Sequence, residues 1–125
     1  MATTVKGTQS PLAPQPGFYY HYKHDPNGPI NNYAYEVIGT GHHTEVTEEQ
    51  VQNGVDPFFV IYRPLYKEAS VYRLGRLFDI RPLQMFMEEV VKGEKKFPRF
   101  TRITNLETIE RLKDLCKHLY GEAAL

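Results

Sequence analysis

The stretch Val60 to Met85, VIYRPLYKEASVYRLGRLFDIRPLQM, contains one triplet twice, Arg63-Pro64-Leu65 and Arg81-Pro82-Leu83, each time at the end of an apolar run. Proline disfavours the helical region for the residue before it and donates no backbone hydrogen bond. Each arginine is therefore expected to sit extended at the last position of a strand, so that two guanidinium groups project from similar strand ends. Between the triplets the chain turns through LYKEAS, offers a short strand at Val71 to Arg73, turns again at Gly75 and returns as Leu77 to Arg81. In that hairpin Phe78 and Ile80 are expected on the buried face, with Asp79 and Arg81 within reach of each other on the opposite one. Pro82 suits the first position of a helical turn that sends Leu83 and Phe86, three apart, toward the core.

The run before the first triplet, Asp56 to Arg63, is apolar on both faces, with Phe58, Val60 and Tyr62 on one and Phe59, Ile61 and Arg63 on the other. A strand of this composition requires cover on both sides. Further upstream, Phe18 to Lys23 reads as an aromatic strand that sets Phe18, Tyr20 and Tyr22 on one face and Tyr19, His21 and Lys23 on a wetter one. After the loop HDPNGPINN, strand signal resumes from Tyr33 to Thr44, where Gly39 and Gly41 point to a bulge or sharp bend. Curved strands of this kind suit a small barrel. Glu45 to Asp56 is a polar excursion, a helical turn or long loop ended by Asn53-Gly54.

Downstream, Glu88 to Phe100 reads as a last hairpin around Lys92-Gly93, with Pro98 at an edge or strand end. Thr104-Asn105-Leu106-Glu107 has a capping-box pattern and opens a helix whose stripe is Leu106, Ile109, Leu112, Leu115, Cys116 and Leu119, stopping at Gly121. This helix is the candidate cover for the apolar outer face of the sheet. Its exposed side, or a sheet edge, is the alternative, a surface for a protein partner.

The organisation expected is a flexible proline-rich tail at 1–16, a β-barrel domain at 17–100 and a C-terminal amphipathic helix at 101–125. The class is mainly β, a small barrel of five or six strands with an added C-terminal α-helix. Fifteen basic residues balance fifteen acidic ones, which argues against attachment to nucleic acid or membrane by bulk charge and leaves a local basic patch open. The lone Cys116 fits a reducing compartment, with the cytoplasm as the default, and no run resembles a signal peptide or membrane span. No cofactor is expected, as no phosphate-loop motif occurs.

Chemistry concentrates in a basic and aromatic set: His21, Tyr22, Lys23, Tyr62, Arg63, Tyr66 and Arg81, with Lys67, Arg73 and Arg76 nearby in sequence. Guanidinium groups recognise phosphate or carboxylate, and tyrosines supply stacking faces for bases. The set suits a small anionic or nucleotide-like ligand, or single-stranded nucleic acid. The bland alternative pairs Arg81 with Asp79 and Arg63 with Glu36 or Glu68, and uses the tyrosines as scaffold. A second candidate is His43 with Glu45, which share a strand face and suggest metal-assisted hydrolysis if His21 or His24 joins them. A third reading is a protein-interaction adaptor.

Several phrases occur in an order that resembles a bacterial family, domain of unknown function 1653: Gly17-Phe18-Tyr19-Tyr20-His21-Tyr22-Lys23, Tyr35-Glu36-Val37-Ile38-Gly39, His43-Thr44-Glu45, Val60-Ile61-Tyr62-Arg63-Pro64-Leu65-Tyr66, Ile80-Arg81-Pro82-Leu83-Gln84-Met85-Phe86 and Phe97-Pro98-Arg99-Phe100. The resemblance spans Gly17 to Phe100. It implies an SH3-like barrel and a bacterial, cytoplasmic protein, and it implies no activity. Tyr20 stands where the family phrase has Arg, and Lys67 where it has Gly. The tail and the helix from Thr104 lie outside the resemblance.

Overall fold

The structure, a computed structural model, describes residues 13–66 and 78–121. The chain is mainly β, with antiparallel sheets and a C-terminal helix. In chain order its elements are β1 (Gly17–His21), β2 (Ala34–His42), α1 (Glu48–Gln52), β3 (Phe58–Pro64), β4 (Asp79–Pro82), α2 (Leu83–Met87), β5 (Glu89–Lys92), β6 (Lys95–Pro98), β7 (Phe100–Arg102) and α3 (Leu106–Tyr120). Most of the expected tail, the strand Val71 to Arg73, the turn at Gly75, and Lys67, Arg73, Arg76 and Leu77 lie outside the described residues.

Five strands form one sheet in the order β4-β3-β2-β1-β7, and β5 and β6 form a separate hairpin. The bulge expected near Gly39 is present: Val37 pairs with Tyr62 and Gly39 with Ile61, leaving Ile38 as the extra residue. Both prolines of the repeated triplet end their strands, as their missing donors require. The polar excursion becomes α1, which is capped by a reciprocal pair. Thr47 Oγ1 accepts from the Gln50 amide at 3.1 Å, and the Gln50 side chain accepts from the Thr47 amide at 2.9 Å. No α1 residue is buried.

The sheet carries an apolar cluster on each face. One contains Phe18, Ala34, Leu65, Ile103, Leu112 and Tyr120, with Ile109, Leu115, Cys116 and Leu119 packed against it, so α3 provides the cover that strand β3 demands. The other contains Tyr19, Val37, Val60, Tyr62, Leu83, Phe86 and Phe100. Here the cover is α2, five residues long and far below the length at which a helix persists unaided. Burial of Leu83 and Phe86, about 1.5–3 kcal/mol each, holds it. Asp56 pins it to β3 by accepting from the amides of Phe58 at 2.9 Å and Gln84 at 2.7 Å.

Four local expectations are corrected. The Tyr19 face of β1 is not the wetter one: Tyr19 is buried, because α2 and Phe100 close over it. Ile80 is 61 % exposed, on the outer face of an edge strand and outside both apolar clusters. Leu106 is 77 % exposed as the first residue of α3, so the inward stripe starts at Ile109 and ends with Tyr120. The cap of α3 is Asn105 and not Thr104, since Asn105 Oδ1 accepts from the Thr108 amide at 2.9 Å.

Candidate functional site

The two arginines of the repeated triplet lie on opposite faces of the sheet. Antiparallel pairing sets Arg81 across from Val60, which faces the α2 cluster, while Arg63 pairs with Glu36 on the α3 side. In an extended segment residues two apart share a face, and the leucines follow their arginines: Leu65 enters the α3 cluster and Leu83 the α2 cluster. The expectation of two guanidinium groups projecting together is therefore corrected.

Arg63 is 7 % exposed and enclosed. Its Nε donates to Glu36 Oε1 at 2.9 Å, and its guanidinium carbon sits 3.9 Å from the centre of the Tyr120 ring and 5.4 Å from that of Phe78. Cys116 completes the group: its thiol donates to Glu36 Oε1 at 3.3 Å, and Arg63 Nη2 lies 3.6 Å from its sulfur. Burial and the Glu36 carboxylate push the thiol up to about 11, so it stays protonated at neutral pH. The same strand end is tied to α3 again, where Tyr120 Oη donates to the Pro64 carbonyl at 2.6 Å. Arg63 is thus a neutralised cross-link between sheet and helix.

Arg81 has different company. Its Nε donates to the Tyr62 hydroxyl at 3.1 Å and its guanidinium lies 5.7 Å from the centre of the Phe100 ring. Phe100 stacks on Phe86 with centroids 4.1 Å apart and planes within 3°. Around this base, Tyr35 meets Tyr62, Tyr66 and Phe100 edge-on, each at 5.5 Å, and its hydroxyl is bonded to that of Tyr66. Burial, with the hydrogen bond to Tyr66, pushes the Tyr35 phenol upward, so Tyr35 keeps its proton. Among the described residues the ion pairs are Arg63–Glu36, Arg99–Glu88 and Lys113–Glu110, so Arg81 is oriented by a hydroxyl and a ring and keeps its charge.

His21 joins the same face from β1, with its ring centroid 5.1 Å from Phe100, 5.7 Å from Tyr33 and 4.5 Å from Tyr22. Its Nδ1 accepts from the Lys23 amide at 3.2 Å, which leaves Nε2 as the donor of the neutral ring. Burial, followed by the charges of Arg99, Lys23 and Arg81, lowers its pKa to about 4. The unfolded chain binds this proton near 6.5, so stability is complete above pH 6.5 and falls as pH drops toward 4. Urea unfolding at pH 7, 5.5 and 4.5 checks this. His21→Gln is expected to flatten that part of the acid slope, and an unchanged slope would remove His21 as its source.

Both arginines, His21 and the rings around Arg81 lie within a single family match. A family model described as "Protein of unknown function (DUF1653)" matches residues 17–102. The chain belongs to this family. Comparison with curated proteins and with solved structures returns no match. The DUF1653 segment spans β1 to β7, so it includes both arginines and every ring of the Arg81 face, while α3 follows it.

Of the residues singled out in the sequence, the DUF1653 sheet brings His21, Tyr22, Tyr62, Tyr66 and Arg81 into one connected set, with the charge of Lys23 reaching His21. Arg63 belongs to the other face. Sequence reasoning missed Tyr33, Tyr35, Arg99 and Phe100. Tyr35 was readable, as it alternates with Val37 on the inner face. Tyr33 was not: it adopts a positive φ of 52°, rare for an aromatic residue, and that turns its ring toward His21 and Tyr66. Arg99 pairs with Glu88 at 2.7 Å, while its buried Nε has no hydrogen-bond partner among the described residues.

His43 and Glu45 form a local turn in which His43 Nδ1 accepts from the Glu45 amide at 3.1 Å, and both side chains are exposed. Among the described residues no group of three or more His, Cys, Asp or Glu is placed to hold a metal ion. His24 is occupied elsewhere, stacked on Tyr20 at 3.5 Å with its Nδ1 2.8 Å from the Asn32 carbonyl oxygen.

Proposed function

We propose that this DUF1653 domain is a binding module for a nucleotide-like anionic ligand, held by Arg81 and the rings of His21, Tyr22, Tyr33 and Tyr66. The observation that carries the reading is the contrast between the two arginines. Arg63 is neutralised by Glu36, whereas Arg81 is fixed by the neutral Tyr62 hydroxyl and retains its charge for a phosphate or carboxylate. Half-buried rings beside it offer faces for a base at little entropic cost, because their neighbours already orient them.

The strand order supports an SH3-like barrel as the fold: β1 to β4 form a meander, and the last strand, β7, returns to pair with β1. Such a scaffold hosts many functions, so the functional argument rests on the site alone.

Thymidine 5′-monophosphate is expected to shift amide signals in β1, β3 and β4, with inorganic phosphate binding more weakly because it lacks the base. Arg81→Ala removes a charge-assisted contact of about 1.5–3 kcal/mol, a loss on the order of 10- to 100-fold in affinity, and the native affinity declines with salt. A nucleotide that leaves these signals unmoved, or that binds Arg81→Ala as it binds the native chain, would sink the reading.

A further inference from the structure

Beside the Arg81 cluster the structure carries a continuous row of rings. From Tyr66 the steps between centroids run to Tyr33 at 5.1 Å, to His21 at 5.7 Å, to Tyr22 at 4.5 Å and to Phe97 at 6.5 Å. The row therefore leaves the main sheet at the end of β1 and continues onto hairpin β5–β6. All five side chains are half-buried. Tyr22 and Phe97 are parallel within 11°, with centroids 6.5 Å apart. Tyr33, the middle link toward Tyr66, holds its place with a positive φ of 52°.

Cations border this row along its length. Lys92 Nζ lies 5.4 Å from the centre of the Tyr22 ring, and Lys95 stands across from Lys92 in the hairpin register, on the same face. Lys23 follows Tyr22 directly, and the Tyr22 amide donates to the Arg99 carbonyl at 2.9 Å, which brings Arg99 alongside. Arg81 stands beside the Tyr62, Tyr35 and Phe100 rings that adjoin the other part of the row. At the centre of the row, burial and then the charges of Arg99, Lys23 and Arg81 lower the pKa of His21. Of the carboxylates in this stretch, Glu88 is paired with Arg99, Glu89 lies on the opposite face of β5 from Lys92, and Glu94 stands exposed in the turn of the hairpin.

We infer that this row is a track for single-stranded nucleic acid, with about four bases laid along the Tyr66, Tyr33, His21, Tyr22 and Phe97 rings and the backbone phosphates on Arg81, Lys23, Lys92 and Lys95. The inference rests on the nucleotide reading of the Arg81 face and extends it from one nucleotide to a strand. A single nucleotide uses Arg81 and the rings nearest it and does not extend onto the hairpin. Five rings in sequence with cations spread beside them match a strand whose site size is about four nucleotides, and stacking of this kind is tolerant of base identity. The neutral net charge of the chain agrees with recognition by this local surface and not by bulk attraction.

The test compares thymidine 5′-monophosphate with oligothymidylates of about two, four and eight nucleotides, on the full chain and two variants. Affinity is expected to rise with length to about four nucleotides and then level off. Phe97→Leu keeps an apolar side chain but loses the stacking face at the hairpin end of the row, and is expected to weaken the four-nucleotide strand on the order of 10-fold while leaving the mononucleotide within about 2-fold. Lys92→Gln with Lys95→Gln changes exposed residues only, and is expected to make the slope of log affinity against log salt shallower by about 1.4. A mononucleotide that binds through Arg81 while longer strands bind no tighter overturns the track and leaves the nucleotide site standing. Silent hairpin variants, or duplex DNA bound as tightly as the single strand, overturn it as well. Absence of binding by every probe removes both readings together.

Discussion

Replacing Arg63 with alanine lowers the stability of the fold by about 3 kcal/mol, the lower part of the range for breaking a buried ion pair by removing one partner. The loss has two sources. Glu36 would keep its charge beneath α3 with neither the Nε donor at 2.9 Å nor the guanidinium that now balances it. The rings of Tyr120 and Phe78, 3.9 Å and 5.4 Å from the guanidinium carbon, would lose a desolvated cation. Glu36 retains 24 % of its side-chain exposure, which lets water recover part of the cost and keeps the effect below the upper end of that range. Urea unfolding gives the value directly, with a lower midpoint at an unchanged m. Arg63→Met combined with Glu36→Leu removes both charges and is expected to recover most of the loss, because an apolar pair of similar volume often replaces a buried ion pair without penalty. A single-variant loss under about 1 kcal/mol would show that the pair behaves as an exposed one, and would overturn the assignment of Arg63 to the scaffold.

The contrast between Arg63 and Arg81 also marks how far the sequence could be read. Proline at the end of each strand, the bulge before Gly39, the turn at Gly93, the helical turn with Leu83 and Phe86 inward, and the inward stripe of α3 all follow from local rules, and the structure contains each of them. The face on which each arginine sits does not follow, because it depends on the parity of pairing between β3 and β4. One residue of slip would exchange the two faces. Ile80 illustrates the same limit: alternation sets it opposite Arg81, but whether that face is covered depends on where distant elements pack. The aromatic set was legible as composition and not as geometry. His21, Tyr62 and Tyr66 stand on or beside three different strands, and Tyr33 reaches them through a backbone conformation that sequence pattern does not announce for tyrosine. Phe100 was read as the end of a hairpin. It instead starts β7 and pairs with His21, which carries it into the centre of the site.

Phe86→Ala is expected to be the most damaging single substitution in the DUF1653 segment, at about 3–5 kcal/mol. Phe86 is 2 % exposed and contacts three aromatic residues: Phe100 face to face at 4.1 Å, Tyr62 edge-on at 5.6 Å and Tyr19 edge-on at 5.9 Å. It is also one of two buried anchors of α2, whose five residues are too few to persist as a helix unaided. Against a total stability of about 5–15 kcal/mol for a domain of this kind, the loss is enough to populate the unfolded chain, and urea unfolding of the native chain and the variant measures it. Phe86→Leu keeps most of the volume and is expected to cost no more than about 1.5 kcal/mol. The pair of variants bears on function because Phe86 supports both groups that orient Arg81. Tyr62 supplies the hydroxyl that accepts from its Nε, and Phe100 supplies the ring beneath it. If this aromatic base positions the charge, Phe86→Leu binds thymidine 5′-monophosphate more weakly while remaining folded, since loosened Tyr62 and Phe100 no longer hold the guanidinium in one place. Native affinity in folded Phe86→Leu would separate the core from the site, leaving Phe86 a role in stability alone. A loss under about 1.5 kcal/mol for Phe86→Ala would contradict the packing argument itself, because a buried ring with these contacts cannot be removed at so small a cost unless the cluster closes over the space it leaves.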